Sequence, residues 1–182
     1  MSVVVISDAG PLFSFAAGDL LSILLRFPLV VTDVIKEETF DKGLLPGCSI
    51  EAQRLLSFYN QHATNIQVIP TQVGHTIRSA RQADPKYQQP RNMGELSIQS
   101  YLIDLYAQKS PINPLVLFED NWFFERQSAF PNFGTLISTE AFLRNAEQLK
   151  IIKSAVEARK AINAARPNAS KVFFIKDLGQ AI

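Results

Sequence analysis

Residues that staple a chain or bind soft metals are scarce in this sequence. It has one cysteine, Cys48, and two histidines, His62 and His75. One cysteine excludes an intramolecular disulfide, and that usage fits a cytoplasmic protein. The same scarcity excludes a zinc site of usual spacing. A Cys–His hydrolase would need Cys48 beside a histidine, and their positions give no reason to expect it. No GxxxxGK[ST] and no GxGxxG occurs, so the loops that cradle nucleotide phosphates are missing. Long apolar runs are missing too. Residues 3–6 are apolar, but the run is short and follows no basic segment, so no secretory leader is expected. Residues 20–31 are interrupted by Arg26 and Pro28 and fall short of a membrane span. The net charge of +1 excludes a polyanion-binding field spread over the whole molecule, so any such attraction must come from local patches.

What is present is a globular composition: 182 residues, 47% hydrophobic and 19% charged. Short β-rich runs alternate with helical patterns. Strands are expected at Val3–Ser7, 28–32, Ile66–Ile69, 114–119 and 134–137. Pro11 fits the first turn of a helix with Leu12, Phe13, Ala16, Leu20, Leu21 and Leu24 as its apolar residues. Further helices are expected over 33–40, 50–61 (Leu55, Leu56 and Tyr59 inward), 71–81, 94–108 and 122–129. Thr139 caps another, with Phe142, Leu143, Ala146 and Leu149 on one face. Residues 83–92 hold Pro85 and Pro90 and read as a loop. This alternation predicts an α/β fold, a mainly parallel sheet of about five strands with helices on both faces. Ligands of such sheets bind outside the carboxyl ends of the strands.

Acids stand at those ends. The stretch VVVISDAGPL drives a buried strand into Asp8, and VLFEDN places Asp120 after a later strand. Glu95 heads the apolar stripe Ile98, Leu102, Leu105 and Tyr106, in the first helical turn where the dipole favours an anion. Glu38 lies between Val34 and Ile35 on the helical wheel, whereas Glu37 is turned a further ~100° away, so Glu38 is chosen over Glu37. Each acid has a bland reading: turn chemistry before Gly10-Pro11, helix capping, or a loop. Those readings treat the residues one at a time and leave their equivalent, inward-facing positions unexplained. Four converging carboxylates must protonate or bind cations. Hard oxygen ligands suit Mg²⁺ or Mn²⁺, and such ions can activate water against a phosphodiester.

Together these residues resemble the PIN domain, the nuclease fold that includes the VapC-like toxins of bacterial toxin–antitoxin pairs. The matching pieces are ISDAGPLFSFA (6–16), VVTDVIKEE (30–38), MGELSIQSYLIDL (93–105) and VLFEDNWFFER (116–126), followed by GTLIS at 134–138. The resemblance covers residues 3–140. It implies a Mg²⁺- or Mn²⁺-dependent endoribonuclease in which Asp8, Glu38, Glu95 and Asp120 form the acidic cluster. Asp8, Glu95 and Asp120 would be the metal ligands, with Ser7 and Glu119 supporting them. Water would attack in line, without a covalent protein intermediate. A toxin of this kind would have RNA as substrate and a small antitoxin as partner. Two departures bear on substrate fit: Thr32 stands where the family often has proline, and NWFF precedes Glu125-Arg126 where a basic, alanine-rich helix start is usual. Some proteins of this fold bind RNA or a partner without cutting, which is the alternative reading. A phosphatase or receiver-like module is a third class, weakened by Gly10 at the position where a second aspartate is wanted.

RNA contacts are expected from Arg78, Arg81, Lys86, Arg91 and Arg126, with Tyr87 able to stack on a base. Residues 144–176 carry eight Lys/Arg and two acids, with Ile151, Ile152, Ala155, Val156 and Ile162 as an apolar helical side and KVFFI (171–175) as a strand. The chain is thus divided into a PIN-like domain, 1–140, and an extension, 141–182, that packs on the core or forms a homodimer interface.

Overall fold

The structure, a computed structural model, describes residues 3–126 and 134–167. In chain order its elements are β1 (Val3–Ser7), α1 (Ala9–Ala17), β2 (Leu29–Thr32), α2 (Asp33–Glu38), α3 (Ile50–His62), β3 (Ile66–Ile69), α4 (Gln72–Ala83), α5 (Met93–Ala107), β4 (Asn113–Phe118), α6 (Asn121–Glu125), β5 (Thr135–Ser138), α7 (Thr139–Gln148) and α8 (Ala155–Ala165), with 3₁₀ turns at Leu21–Arg26 and Asp41–Leu44.

The five strands form one all-parallel sheet in the order β3-β2-β1-β4-β5. Its central strands are buried on both faces, which is why they read as unbroken apolar runs. Val5 and Ile6 of β1 are fully buried, as are Val31 of β2 and Leu117 of β4. The chain winds outward from β1 to β3, then crosses to β4 and winds the other way. The order therefore reverses between β1 and β4, which pair from Val3↔Asn113 to Ser7↔Leu117. A crevice opens at such a switch point, beyond the carboxyl ends of its two strands.

Helices cover both faces, making the three layers of a PIN-like α/β fold. Phe15 of α1, Phe27 and Phe142 of α7 meet edge to face, with centroids 5.7 and 5.6 Å from Phe142. Ala155, Ala158 and Ile162 of α8 join the same core. The described part of the extension, up to residue 167, thus packs on the domain.

Several local expectations need correction. The first helix stops at Ala17 instead of running to Leu24, because Gly18 caps it and Asp19 turns left-handed at φ +58°. Leu21 and Leu24 then lie in a 3₁₀ turn. Phe58 joins Leu55 on the buried side of α3, which the wheel had left out. Ser138, not Thr139, caps α7: its hydroxyl accepts from Ala141 N, Thr139 is already helical, and Leu149 is exposed. Ala158 takes the buried place expected of Val156, which faces solvent. The helix expected over 122–129 ends at Glu125; residues 127–129 and the KVFFI strand lie outside the described residues. No helix among the described residues is long and apolar enough to cross a membrane.

Candidate metal centre

Asp8 and Asp120 stand at the switch point because each follows one of its two strands. Asp8 N–H donates to Leu117 O at 2.9 Å, prolonging the β1–β4 ladder by one bond. Asp8 occupies the N-cap position of α1, yet its side chain makes no capping bond. The carboxylate is therefore not spent on capping α1, and it is only 5% exposed. Asp120 Oδ1 accepts from Trp122 N at 2.8 Å, which starts the short helix α6. Ser7 Oγ donates to the Asp8 backbone carbonyl at 3.0 Å, bracing the corner behind the carboxylate.

Glu95 arrives from the other side of the crevice, in the first turn of α5. Asn92 opens that helix from a left-handed conformation, φ +62°, which asparagine tolerates. Gly94 allows α2 and α5 to approach. A Cβ there would stand 2.7 Å from Ile35 Cδ1 and 2.8 Å from Glu38 Oε2. Thr32 caps α2 by accepting from Ile35 N and shares a 2.6 Å hydrogen bond with Ser97 of α5. Thr32 thus ties these two helices together.

One carboxylate oxygen each from Asp8, Glu95 and Asp120 lies within 4.8 Å of the others. Burial is the largest influence on Asp8 and on Glu95. Desolvation raises Asp8 from 3.8 to about 7, against a hydrogen bond from Ala9 N–H, with further upward pressure from Asp120, Glu38 and Glu119. Glu95 is also pushed well upward, by desolvation, then by a hydrogen bond shared with Asp120 and the charge of Asp8. Such a set is acceptor-only, hard and short of positive charge, which is the donor chemistry of a Mg²⁺ or Mn²⁺ site.

Glu38 belongs to the rim and not to the triad. Its Oε1 accepts from Gln89 Nε2 at 2.9 Å, and desolvation raises its pKa against the pull of Lys42. Glu37 points elsewhere, pairing with Arg81 at 2.7 Å and Arg78 at 3.5 Å. The two neighbours thus have different partners, and neither belongs to the triad. Glu119 turns away from the triad. It accepts from Ser14 Oγ at 2.9 Å and from Thr139 Oγ1 at 2.8 Å, and is 4% exposed.

The expected RNA contacts divide. Arg78 is bound by Asp33 at 2.8 Å as well as by Glu37, and Arg81 also donates to Gln89 at 2.6 Å. Arg126 lies over the Trp122 ring, 5.0 Å from its centroid, and 3.6 Å from Glu125. Lys86 and Arg91 are exposed, and no acid pairs with either among the described residues. Asp33, Gln89, Ser14, Thr139 and Arg166 were missed as supporting residues. Their contacts cross 20 to 156 positions of sequence, so no local pattern signals them. Cys48 Sγ donates to Gly43 O at 3.5 Å, and His62 lies tilted on Phe58.

No family model, curated protein or solved structure matches this chain.

Proposed function

We propose that the chain is a metal-dependent endoribonuclease of PIN type that hydrolyses RNA phosphodiesters. The observation that carries this reading is the triad: three carboxylates from three separate elements, within 4.8 Å, at the sheet's switch point. When bound, Mg²⁺ or Mn²⁺ would supply an activated water and offset charge on the leaving oxygen. Asp8, Glu95 and Asp120 would hold it. Burial disfavours Asp8 and Glu95 as free anions, so cation binding and proton release from them are linked. Glu38, occupied by Gln89 and lying outside the triad, fits a proton acceptor, and its raised pKa brings it closer to neutral pH. Lys86 and Arg91, on the loop that leads into Glu95, would meet phosphates. The toxin role, a small antitoxin and a homodimer rest on the resemblance and on the apolar C-terminal segment; a cytoplasmic location rests on the single cysteine.

The test is cleavage of tRNA, rRNA fragments and single-stranded RNA in Mg²⁺, Mn²⁺ or EDTA, with wild type beside Asp8→Asn. Metal-dependent cutting that the variant loses is expected. Metal binding without cutting would reassign the chain as an RNA- or partner-binding protein of the same fold. Phosphate release from small esters, with RNA left intact, would favour a phosphatase.

A further inference from the structure

We propose that Arg166, where α8 ends, is a positioning residue for the metal centre, holding the Asp8 and Asp120 segments together through Gly10, Ser14 and Glu119. The inference rests on the metal-centre reading above.

Arg166 Nη1 donates to Gly10 O at 3.1 Å and to Ser14 Oγ at 2.8 Å. The Ser14 hydroxyl donates its own hydrogen bond to Glu119 Oε2, and the guanidinium lies 3.8 Å from that oxygen. Gly10 is two residues beyond Asp8, and Glu119 immediately precedes Asp120. One cation therefore grips both ligand-bearing segments from behind. The fit at their junction is close. A Cβ on Gly10 would stand 3.1 Å from Glu119 Cβ and 3.2 Å from its Oε2. Thr139 fastens the other Glu119 oxygen to the start of α7.

Ser14 and Thr139 are fully buried, and the Arg166 side chain is 27% exposed. Helix α8 has its own attachment, through Ala155, Ala158 and Ile162. The guanidinium is thus not what docks the helix. Its hydrogen bonds go to the metal-site segments, and partners of this kind tune ligand orientation from outside the coordination sphere. The C-terminal helix, expected to pack on the core or form a dimer interface, would thereby also support the site.

The experiment is Mn²⁺ titration of the full chain, followed by the free-ion electron paramagnetic resonance signal, for wild type, Arg166→Ala, Arg166→Lys, Ser14→Ala and Asp8→Asn. Arg166→Ala is expected to raise the Mn²⁺ dissociation constant roughly tenfold. Lysine should recover part of the loss. Ethylguanidinium added to Arg166→Ala should tighten Mn²⁺ binding again and leave Asp8→Asn unchanged, an effect a general packing defect would not produce. Ser14→Ala, which cuts the relay without removing the charge, should weaken binding less, in the same direction; it also serves as the test if Arg166→Ala does not fold. Wild-type affinity in both Arg166→Ala and Ser14→Ala, or in Ser14→Ala alone if the other does not fold, overturns the proposal and leaves the metal centre standing. Wild type that binds Mn²⁺ no better than Asp8→Asn overturns the metal centre and this proposal with it.

Discussion

The crevice between β1 and β4 and the rim formed by α2 and α4 are both rich in charge, and they treat it in opposite ways. On the rim, Asp33 and Glu37 meet Arg78 and Arg81, so the chain neutralises itself. In the crevice, what pushes Asp8 and Glu95 upward is burial first and then other carboxylates. A protein that supplies cations so readily a short distance away, and one to Glu119 behind the site, shows no ion pair to Asp8, Glu95 or Asp120 among the described residues. That contrast is what points to an external cation, and it also says that the rim arginines are structural before they are adhesive.

Removing charge from the crevice should have the largest effect. Asp8→Asn and Asp120→Asn should lower RNA cleavage by more than about a hundredfold, a larger loss than removal of an outer support, while circular dichroism shows an intact fold. Retained activity in both would dissolve the contrast.

The next effect is on stability. Asp8 rises from 3.8 to about 7 on folding, so the folded protein holds that proton more tightly than the unfolded chain. The destabilisation is absent below about pH 4 and complete above about pH 7, where it amounts to about 4 kcal/mol. Metal-free protein should therefore lose stability as pH rises across this window. Asp8→Asn should flatten the curve and be the more stable protein at high pH, and Mn²⁺ should raise the stability of wild type alone. Denaturant titrations at several pH values check all three.

How much of this was legible in the sequence depended on range. Val3–Ser7 and Ile66–Ile69 were read to the residue, since unbroken apolar runs between turn signals are local features. Helical phase brought Glu95 to the crevice, but it also set Glu38 with the triad, where Glu38 lies on the rim, and Tyr106 inward, where it is exposed. The reversal of strand order between β1 and β4 is a property of the whole sheet and left no local trace. Arg78 and Arg81 looked available because Asp33 and Glu37 are more than forty positions away. Arg166 looked like one more basic residue because Gly10 is 156 positions distant.

Two smaller effects sharpen the comparison. Glu38→Gln should impair cleavage far more than Glu37→Gln, which should cost at most about 1 kcal/mol of stability because its ion pairs are partly exposed. Lys86→Ala and Arg91→Ala should each weaken RNA binding and reduce the salt dependence by about one unit of slope, whereas Arg78→Ala should leave the slope unchanged. Filter binding at several salt concentrations separates them.

The central claim is that the crevice is built for a cation the chain does not provide. Calorimetric titration of wild type and Asp8→Asn with Mn²⁺ tests it most directly. The account predicts saturable binding with proton release near neutral pH in wild type, and loss of that binding in the variant. Equal, unsaturable heats in both proteins would contradict it.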